Sequence, residues 1–297
     1  MRHQSRVAAE WRVTMNILIL GANGMAGHVI ATYLKEKGYH IFTLSGHKPL
    51  NSETVIMDIQ DTLRFTEFLN SHKFDLVINC IGLLIKDCEE HKAKAVFVNA
   101  YLPHFLEDYY KDKQTKIIQL STDCVFSGNH PPYYENSLAD GELFYDRVKS
   151  IGELKNEKDL TFRMSIIGPD NNPNGIGLFN WFMKQTQPLT GYSNVYWNGI
   201  TTIELAKAIE FSILHNITGL YHLVPKESIS KFELLLLFKE IFQKNSLIIN
   251  PVEVRYCNKQ LVNTRTDFNF QVPDYNEMIT ELKQWVEEHS ELYAHYK

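Results

Sequence analysis

The chain has 297 residues, of which 44% are hydrophobic and 22% are charged, and its formal net charge at pH 7 is -5. These values are ordinary for a globular protein with a sizeable core, and the acidic balance argues against a nucleic-acid-binding surface. No apolar run approaches the ~18 residues of a membrane-spanning helix, and the four cysteines form no CxxC pair. We therefore expect a cytoplasmic protein without a membrane anchor, a disulfide framework or a metal site.

The first 14 residues lack the apolar core of a signal peptide. They precede a second methionine, Met15, at which the regular pattern of the chain begins. We interpret residues 1–14 as a disordered extension and exclude them from the fold.

Apolar strands and amphipathic helices then alternate along the chain. The pattern predicts strands at 16–20, 40–44, 54–59, 75–82, 116–121 and 160–167, and helices at 26–37, 62–72, 93–110 and 145–155. Near-continuous apolar strands separated by helices are typical of the α/β class, in which a doubly wound parallel sheet is covered on both faces. The sequence therefore predicts a Rossmann-like sheet.

After Gly168 this alternation gives way to a loop and to a different order of elements. The pattern there predicts helices at 176–186, 202–215, 230–244 and 275–289 and a strand at 219–224. We expect residues 15–167 to form the main domain, with a segment near 200–225 returning to its sheet. Residues 168–199 and 226–297 are expected to form a smaller C-terminal α/β lobe.

The turn after the first strand has a GxxGxxG spacing, with Gly21, Gly24 and Gly27. Small residues there let backbone N–H groups approach a pyrophosphate at the N-terminus of the next helix. A tight turn without a ligand is the alternative, but the motif lies in the first strand–helix–strand unit, as the dinucleotide fingerprint requires. Residues 15–167 are therefore predicted to bind NAD(P).

The end of the second strand indicates which cofactor is preferred. An NAD site usually carries a carboxylate there, whereas this chain reads Ser45, Gly46, His47 and Lys48. These side chains suit a 2′-phosphate, so NADP is favoured and NAD is the alternative; a merely solvated Lys48 is the other interpretation. Asp58, after the third strand, is expected to hydrogen-bond adenine or to cap a helix.

A YxxxK motif supplies candidate catalytic residues, because this spacing places both side chains on one helix face. The ammonium group lowers the pKa of the phenol from its usual value of about 10, so that the tyrosine can protonate a carbonyl oxygen as a hydride arrives. Four pairs match the motif: Tyr145/Lys149, Tyr33/Lys37, Tyr109/Lys113 and Tyr293/Lys297.

Position separates the four tyrosines. Only Tyr145 follows a strand that ends in Ser121 and Thr122, and the carboxyl ends of such strands face the ligand crevice. A hydroxyl at that strand end can hydrogen-bond a substrate carbonyl. The alternative for Tyr145 is a surface helix tyrosine.

Five stretches resemble the dTDP-4-dehydrorhamnose reductase family of extended short-chain dehydrogenases/reductases, over residues 15–225. They are GANGMAG at 21–27, VNAYLPHFL at 98–106, STDCVFSG at 121–128, YYENSLADGELFYDRVKSIGE at 133–153 and GITTIELAKAI at 199–209. The resemblance implies that Thr122, Tyr145 and Lys149 are catalytic and that Asn99 is a structural or proton-relay asparagine. It also implies reduction of a 4-keto group on a 6-deoxyhexose carried by a nucleoside diphosphate, in surface polysaccharide precursor synthesis.

Three residues depart from the family pattern: Cys124 replaces a tyrosine, Asp146 replaces a glycine and Thr201 replaces a proline. Cys124, together with SIIG after Arg163, is more similar to reductases of UDP-linked N-acetyl-deoxyhexoses. The sequence therefore leaves two substrates open, dTDP-4-dehydrorhamnose and a UDP-2-acetamido-4-keto-deoxysugar.

These arguments and the resemblance together define the expected site. The expected cofactor contacts are Gly21, Asn23, Gly24, Met25, Gly27, Ser45, His47, Lys48, Asp58, Ile59, Cys80, Ile81, Gly82, Asn99, Tyr145 and Lys149. The expected substrate contacts are Asp123, Cys124, Trp197 and Arg265. Trp181, Tyr192 and Trp197 are candidates to stack on a nucleobase, with ordinary packing as the alternative. For Arg265 the alternative is a surface salt bridge, and a homodimer is compatible with the sequence.

Two other functions fit the same fold. An NAD-dependent sugar-nucleotide epimerase or dehydratase is one, although a dehydratase adds an acidic pair beside its threonine, and here Asp123 stands alone. A non-catalytic regulatory subunit, like relatives of methionine adenosyltransferase, is the other. Fold alone does not decide between these functions. The presence of both Tyr145 and Lys149 argues against the regulatory subunit.

Overall fold

The computed structural model describes residues 14–296. The predicted extension therefore lies, apart from Thr14, outside the described residues. The chain divides into two compact units. Unit 1 comprises the described chain up to Ser121, Leu143–Phe162 and Ala206–Leu220, and unit 2 comprises Thr122–Glu142, Arg163–Leu205 and the chain from Tyr221 onward.

This division differs from the expected domains in residues 122–142 and 163–167, which group with unit 2 rather than with the Rossmann domain. The reason is a set of backbone contacts made after the chain leaves the sheet. Gly128 accepts a hydrogen bond from the Asn258 amide at 3.3 Å, and Tyr133 donates to the Gln260 carbonyl at 2.9 Å. The returning segment is shorter than expected, 206–220 instead of 200–225.

Fourteen strands are present in the described residues. They are β1 (Asn16–Leu20), β2 (His40–Ser45), β3 (Val55–Ile56), β4 (Leu76–Asn79), β5 (Lys116–Thr122), β6 (Leu160–Met164), β7 (Ile166–Ile167), β8 (Leu189–Tyr192), β9 (Val195–Trp197), β10 (Ile200–Thr201), β11 (Gly219–His222), β12 (Ile229–Ser230), β13 (Ile249–Val252) and β14 (Cys257–Asn258).

The α-helices of the described residues are α1 (Met25–Glu36), α2 (Thr62–Ser71), α3 (Ile85–Glu90), α4 (Lys92–Val96), α5 (Leu102–Tyr109), α6 (Phe144–Ile151), α7 (Leu178–Met183), α8 (Thr202–Leu214), α9 (Lys231–Ile241) and α10 (Tyr275–Glu288). Among them, none has the length and apolar character that crossing a bilayer requires.

The main sheet has seven strands in the order β11-β6-β5-β4-β1-β2-β3. β1 pairs in parallel with β2 and with β4, and β4 pairs in parallel with β5. The strand order reverses direction between β1 and β4, and in such sheets the carboxyl ends beside this point form the ligand crevice. The predicted doubly wound α/β class is confirmed.

The core of unit 1 forms where the apolar strands meet the apolar faces of the helices. Leu18 and Val77 from neighbouring strands pack with Phe65 of α2 and Leu106 of α5, all completely or almost completely buried. Burial of a side chain of this size stabilises the fold by about 1.5–3 kcal/mol. This packing fixes the strand ends that carry the candidate site.

Several predicted elements end at other residues in the structure, and for three of them the contacts show the reason or a change of type. The strand predicted at 54–59 is only two residues long, because Asp58 turns the chain by accepting the Gln60 amide at 3.0 Å. The strand predicted at 160–167 is interrupted at Ser165, whose carbonyl accepts the Ile200 amide at 2.9 Å. The helix predicted at 93–110 contains a π-helical turn at Phe97–Tyr101.

Unit 2 contains short strands that the sequence pattern did not predict. β9 pairs with β12 and β14, and β8 pairs in parallel with β13. Each of these strands has two to four residues. Their partner strands lie far away in the sequence, and the strands are too short for a local pattern of apolar residues to predict them.

Candidate active site

The glycine-rich turn between β1 and α1 is tied to the end of β2. The amides of Gly21 and Ala22 donate to the Leu44 carbonyl at 2.9 and 3.1 Å, and the Asn23 amide donates to Ser45 Oγ at 3.2 Å. The turn is therefore fixed by the protein itself. The N-cap of α1 is Gly24, with no side-chain cap and no acidic residue in the first turn. The first amides of α1 are thus left as donors for an anion.

Two of the glycines are required by close packing. Gly21 has a φ of +76°, and a Cβ there would lie 3.0–3.1 Å from Ile81 and Cys80. A Cβ on Gly27 would lie 2.2 Å from the Gly21 carbonyl oxygen. The turn therefore presses against the segment that follows β4, and a larger residue at either position would displace it.

The end of β2 divides the residues expected at the 2′-phosphate into two groups. Ser45 is buried, and its hydroxyl oxygen accepts the Asn23 amide, which makes it a support of the glycine-rich turn. His47 and Lys48 are exposed after the strand end. Asp58 is exposed and forms a local turn, while Asp61 caps α2 by accepting the Arg64 amide at 3.1 Å.

Asn99 lies in the π-helical turn and holds the loop after β4. Its Oδ1 accepts the Leu83 amide at 2.9 Å, and its Nδ2 donates to the Leu83 carbonyl at 3.0 Å and to Cys88 Sγ at 3.2 Å. A Cβ on Gly152 would lie 2.0 Å from the Asn99 carbonyl oxygen, so the end of α6 packs directly on this turn. These contacts give Asn99 a structural role in unit 1.

Lys149 is buried, with 7% of its surface exposed, and its Nζ donates to the Leu120 carbonyl at 2.7 Å. Burial lowers the pKa of its ammonium group to about 8, although the negative charge of Glu153 and the thiols of Cys88 and Cys80 act in the opposite direction. Burial also raises the pKa of the Cys80 thiol to about 12. The lysine thus links α6 to β5 within unit 1.

Tyr145 precedes Lys149 by one turn of α6 and is 9% exposed. The start of this helix is held by two carboxylates: Asp146 accepts the Leu143 amide at 3.1 Å, and Glu89 accepts the Phe144 amide at 3.0 Å. Negative charge at a helix N-terminus stabilises the helix. The aspartate that departs from the family pattern therefore acts as a cap for the helix that carries Tyr145.

Thr122 ends β5 and is the first residue of unit 2. Its hydroxyl donates to Asp123 Oδ1 at 3.2 Å and accepts the Cys124 amide at 3.1 Å. Thr122 and Asp123 are buried, and Cys124 is partly exposed. The residue before them, Ser121, donates to Glu153 Oε1 at 2.7 Å in unit 1.

The hydroxyl groups of the other three YxxxK tyrosines have partners elsewhere. Tyr33 donates to Glu210 Oε2 at 2.9 Å, and Tyr109 donates to Asn70 Oδ1 at 2.7 Å. The Tyr293 hydroxyl accepts from Trp285 Nε1 at 3.0 Å. These contacts explain their presence as structural residues. Lys297, the partner of Tyr293 in the motif, lies outside the described residues.

The expected substrate residues of unit 2 fall into two places. Trp197 is 4% exposed and lies under Lys231, whose pKa is also influenced by the charges of Asp123 and Cys124. Arg265 instead forms a two-pronged ion pair with Asp267, as the surface salt-bridge alternative required. Of the other aromatic candidates, Trp181 and Tyr192 are exposed on α7 and β8.

Sequence reasoning missed Glu153 and Lys231. Glu153 belongs to the Gly-Glu pair that follows the YxxxK motif, which was a usable signal, but its contacts with Ser121 and Lys149 need the fold. Lys231 is the first residue of α9, and nothing in the neighbouring sequence marks it as a candidate site residue. Within residues 14–296, no three His, Cys, Asp or Glu side chains are grouped so that they could hold a metal ion.

Comparison with known proteins adds three findings. The family model described as RmlD substrate binding domain matches residues 15–290. The probable low-salt glycan biosynthesis reductase Agl14 of Haloferax volcanii is 28% identical over 243 residues, which are 73% of this chain and 76% of that protein. The methionine adenosyltransferase 2 subunit beta of Xenopus tropicalis is 21% identical over 79% of this chain and 74% of its own.

Solved structures show the same fold. A crystal structure of dTDP-4-dehydrorhamnose reductase from Bacillus anthracis in complex with NADP aligns with a TM-score of 0.78 at 20% identity. The alignment covers 92% of this chain and 99% of that chain.

Proposed function

The chain belongs to the RmlD substrate binding domain family, and from this premise we propose that it is an NAD(P)H-dependent sugar-nucleotide reductase. Its substrate is the 4-keto group of a nucleotide-activated 6-deoxyhexose, either dTDP-4-dehydrorhamnose or a UDP-2-acetamido-4-keto-deoxysugar. The product would enter the synthesis of a surface polysaccharide precursor in the cytoplasm. The similarity to a glycan biosynthesis reductase and to dTDP-4-dehydrorhamnose reductases supports this proposal.

The residues present fit a nicotinamide dinucleotide. The uncapped N-terminus of α1 leaves donors for a pyrophosphate, and Gly21 and Gly27 let the turn pack closely against Ile81, Cys80 and its own backbone. His47 and Lys48, with no carboxylate at the end of β2, favour NADP over NAD. When bound, the reduced nicotinamide supplies the hydride that adds to the keto carbon.

The protein's own residues supply and stabilise the proton. Tyr145 donates its phenolic proton to the keto oxygen, so that the C=O group becomes CH–OH. Lys149, held by the Leu120 carbonyl, stabilises the phenolate that remains. Thr122 contributes a hydroxyl as a hydrogen-bond partner of the substrate, as the resemblance implies. Positioned proton donation of this kind is worth roughly 10²–10⁴-fold in rate.

One observation carries the proposal. Lys149 is a buried lysine whose ammonium group is fixed on the strand that ends in Thr122, one helical turn after Tyr145. A buried lysine is costly and is retained where it has a task. The other tyrosines of the motif are engaged in contacts that need no such lysine.

A non-catalytic regulatory subunit is the second candidate, because two relatives are named methionine adenosyltransferase 2 subunit beta. That role needs neither a buried lysine after a motif tyrosine nor a carboxylate such as Glu153 beside it. The reductase is therefore the better supported of the two. A dehydratase is disfavoured by the single acid, Asp123, after Thr122, and an NAD-dependent epimerase is disfavoured by the NADP preference that His47 and Lys48 favour.

The test is direct reduction of nucleotide sugars. The purified protein is incubated with NADPH or NADH and a panel of dTDP- and UDP-linked 4-keto-deoxysugars, and the loss of reduced-nicotinamide absorbance is followed. We expect turnover with at least one sugar and a preference for NADPH. Absence of turnover across the panel, together with tight binding to another enzyme subunit, would favour the regulatory role. Size-exclusion chromatography with light scattering tests the homodimer.

A further inference from the structure

Lys231 occupies a fixed position in unit 2. Ser230 pairs with Tyr196 through β12 and β9, and its hydroxyl caps α9 by accepting the Glu233 amide at 3.1 Å. The chain therefore turns from strand to helix at Lys231, whose Nζ lies 4.3 Å from the centroid of the Trp197 ring. A cation over an indole face is attracted to it. The lysine is thus positioned by its backbone and by Trp197.

The surroundings of this ammonium group lower its stability as a cation. Burial lowers the pKa of Lys231 to about 8, and the opposing influences are Asp123, Cys124 and Cys257. Asp123 does not come close enough for an ion pair, and its carboxylate accepts the hydroxyl of Thr122. In the part of the chain that the structure describes, the ammonium group has an aromatic face as its only close partner.

Arg265, the cation that the sequence had suggested for the substrate, is in the opposite situation. Its Nε donates to Asp267 Oδ1 at 2.8 Å, and a second guanidinium nitrogen donates to Oδ2 of the same carboxylate. A guanidinium that is already paired gains little from a further anion. A partly buried ammonium group without an anion gains more, because burial of a charge is unfavourable until it is paired.

We propose that Lys231, rather than Arg265, is the cation of unit 2 that binds the phosphate groups of the nucleotide sugar. The inference rests on the proposed function, which supplies a ligand with a negatively charged diphosphate. Geometry carries it: the β12–β9 pairing and the Ser230 cap fix Lys231, and its ammonium group lies over the Trp197 ring with no anionic partner among the described residues. The charges of Asp123 and Cys124, which follow the candidate catalytic Thr122, also act on it.

The experiment measures ligand binding without turnover. Isothermal titration calorimetry of the protein loaded with oxidised NADP⁺, which cannot donate a hydride, uses UDP, dTDP, GDP and CDP, the corresponding nucleosides, and the sugar nucleotides that it reduces. Lys231→Met removes the charge while keeping most of the side-chain volume. Lys226→Met, an exposed lysine of the same unit, is the matched control, and Arg265→Met tests the rival cation. Lys231→Arg restores the charge.

We expect Lys231→Met to weaken binding of the preferred nucleoside diphosphate about ten- to a hundredfold, the usual range for a hydrogen bond to a charged group. Binding of the nucleoside and of NADPH should not change, and Lys231→Arg should recover affinity. Lys226→Met should behave like the unmodified protein, and Arg265→Met should lose much less than Lys231→Met. Thermal melting of each variant confirms that it is folded.

Three results would overturn the assignment. Unchanged diphosphate affinity in Lys231→Met rejects it, and continued turnover by the unmodified protein would leave the reductase proposal intact. A loss seen with the sugar nucleotide but not with the nucleoside diphosphate would place Lys231 at the sugar instead. If the unmodified protein binds none of the diphosphates and reduces none of the sugars, this inference and the proposed function fail together.

Discussion

Glu153 offers the sharpest test of how the site holds its lysine in the charged form. Its carboxylate is buried, accepts the Ser121 hydroxyl at 2.7 Å and lies near Lys149. Burial lowers the pKa of Lys149 to about 8, and Glu153 is the largest of the influences that raise it. Replacing it by an amide in Glu153→Gln keeps the shape and the acceptor for Ser121 but removes the charge. The pKa of Lys149 should therefore fall further.

The size of the effect follows from the pKa itself. A loss of about 1.4 kcal/mol of favourable interaction lowers the pKa of Lys149 by about one unit, from about 8 to about 7. At pH 8 the charged fraction of Lys149 would then drop from about one half to about one tenth, so kcat/KM should fall about fivefold. At pH 6 the lysine stays charged in both proteins, and their rates should nearly coincide.

The assay is the pH dependence of kcat/KM for the nicotinamide cofactor, which reports groups of the free enzyme. The alkaline limb of the profile should move to lower pH in Glu153→Gln. Glu157→Gln, an exposed glutamate four residues on, is the matched control and should leave the profile in place. If the two variants give the same profile as the unmodified protein, Glu153 does not support the charge of Lys149 and the reasoning is wrong.

Three further outcomes are expected. Tyr145→Phe should lower kcat by roughly 10²–10⁴-fold with little change in cofactor affinity, while Tyr33→Phe should leave kcat nearly unchanged; normal turnover by Tyr145→Phe would exclude it as the proton donor. Lys48→Ala should narrow the difference between the dissociation constants of NADPH and NADH, and equal constants in the unmodified protein would remove the basis for this expectation. Gly27→Ala should destabilise the fold by about 1–3 kcal/mol and weaken NADPH binding, because its Cβ would lie 2.2 Å from a carbonyl oxygen. Gly46→Ala, which meets no atom within 4 Å, is the control for melting temperature.

The sequence predicted the parts of the fold that depend on local pattern. Continuous apolar runs such as 16–20 and 116–121 became central strands, since burial on both faces requires that composition. The strand predicted at 54–59 was too long because its buried residues, Met57 and Ile59, reach the core from a turn rather than from a strand. Apolar residues at alternate positions indicate that their side chains are buried, but buried residues need not belong to a hydrogen-bonded strand.

The sequence predicted those residues of the candidate site that belong to a recognisable motif. Lys149 was found from its spacing to Tyr145, but its partners Leu120 and Glu153 were not, because a carbonyl contact and a buried carboxylate leave no pattern in sequence. Lys231 was missed for the same reason. Among the described residues, its ammonium group contacts the Trp197 ring and has no anionic partner. This can be seen only when the positions of the neighbouring side chains are known.

The hydrogen bonds that tie the turn at Gly21–Asn23 to the end of β2 affect how fast the cofactor can be exchanged. A reductase must release its spent dinucleotide and admit a fresh one in every cycle. A turn already fixed by Leu44 and Ser45 does not have to fold around the arriving molecule or loosen to let it leave. The conformational entropy of this segment is lost once, when the protein folds, and is not lost again each time a cofactor binds. The rate of exchange then depends on contacts outside the turn, which can evolve toward faster or slower release while the phosphate-binding backbone stays the same.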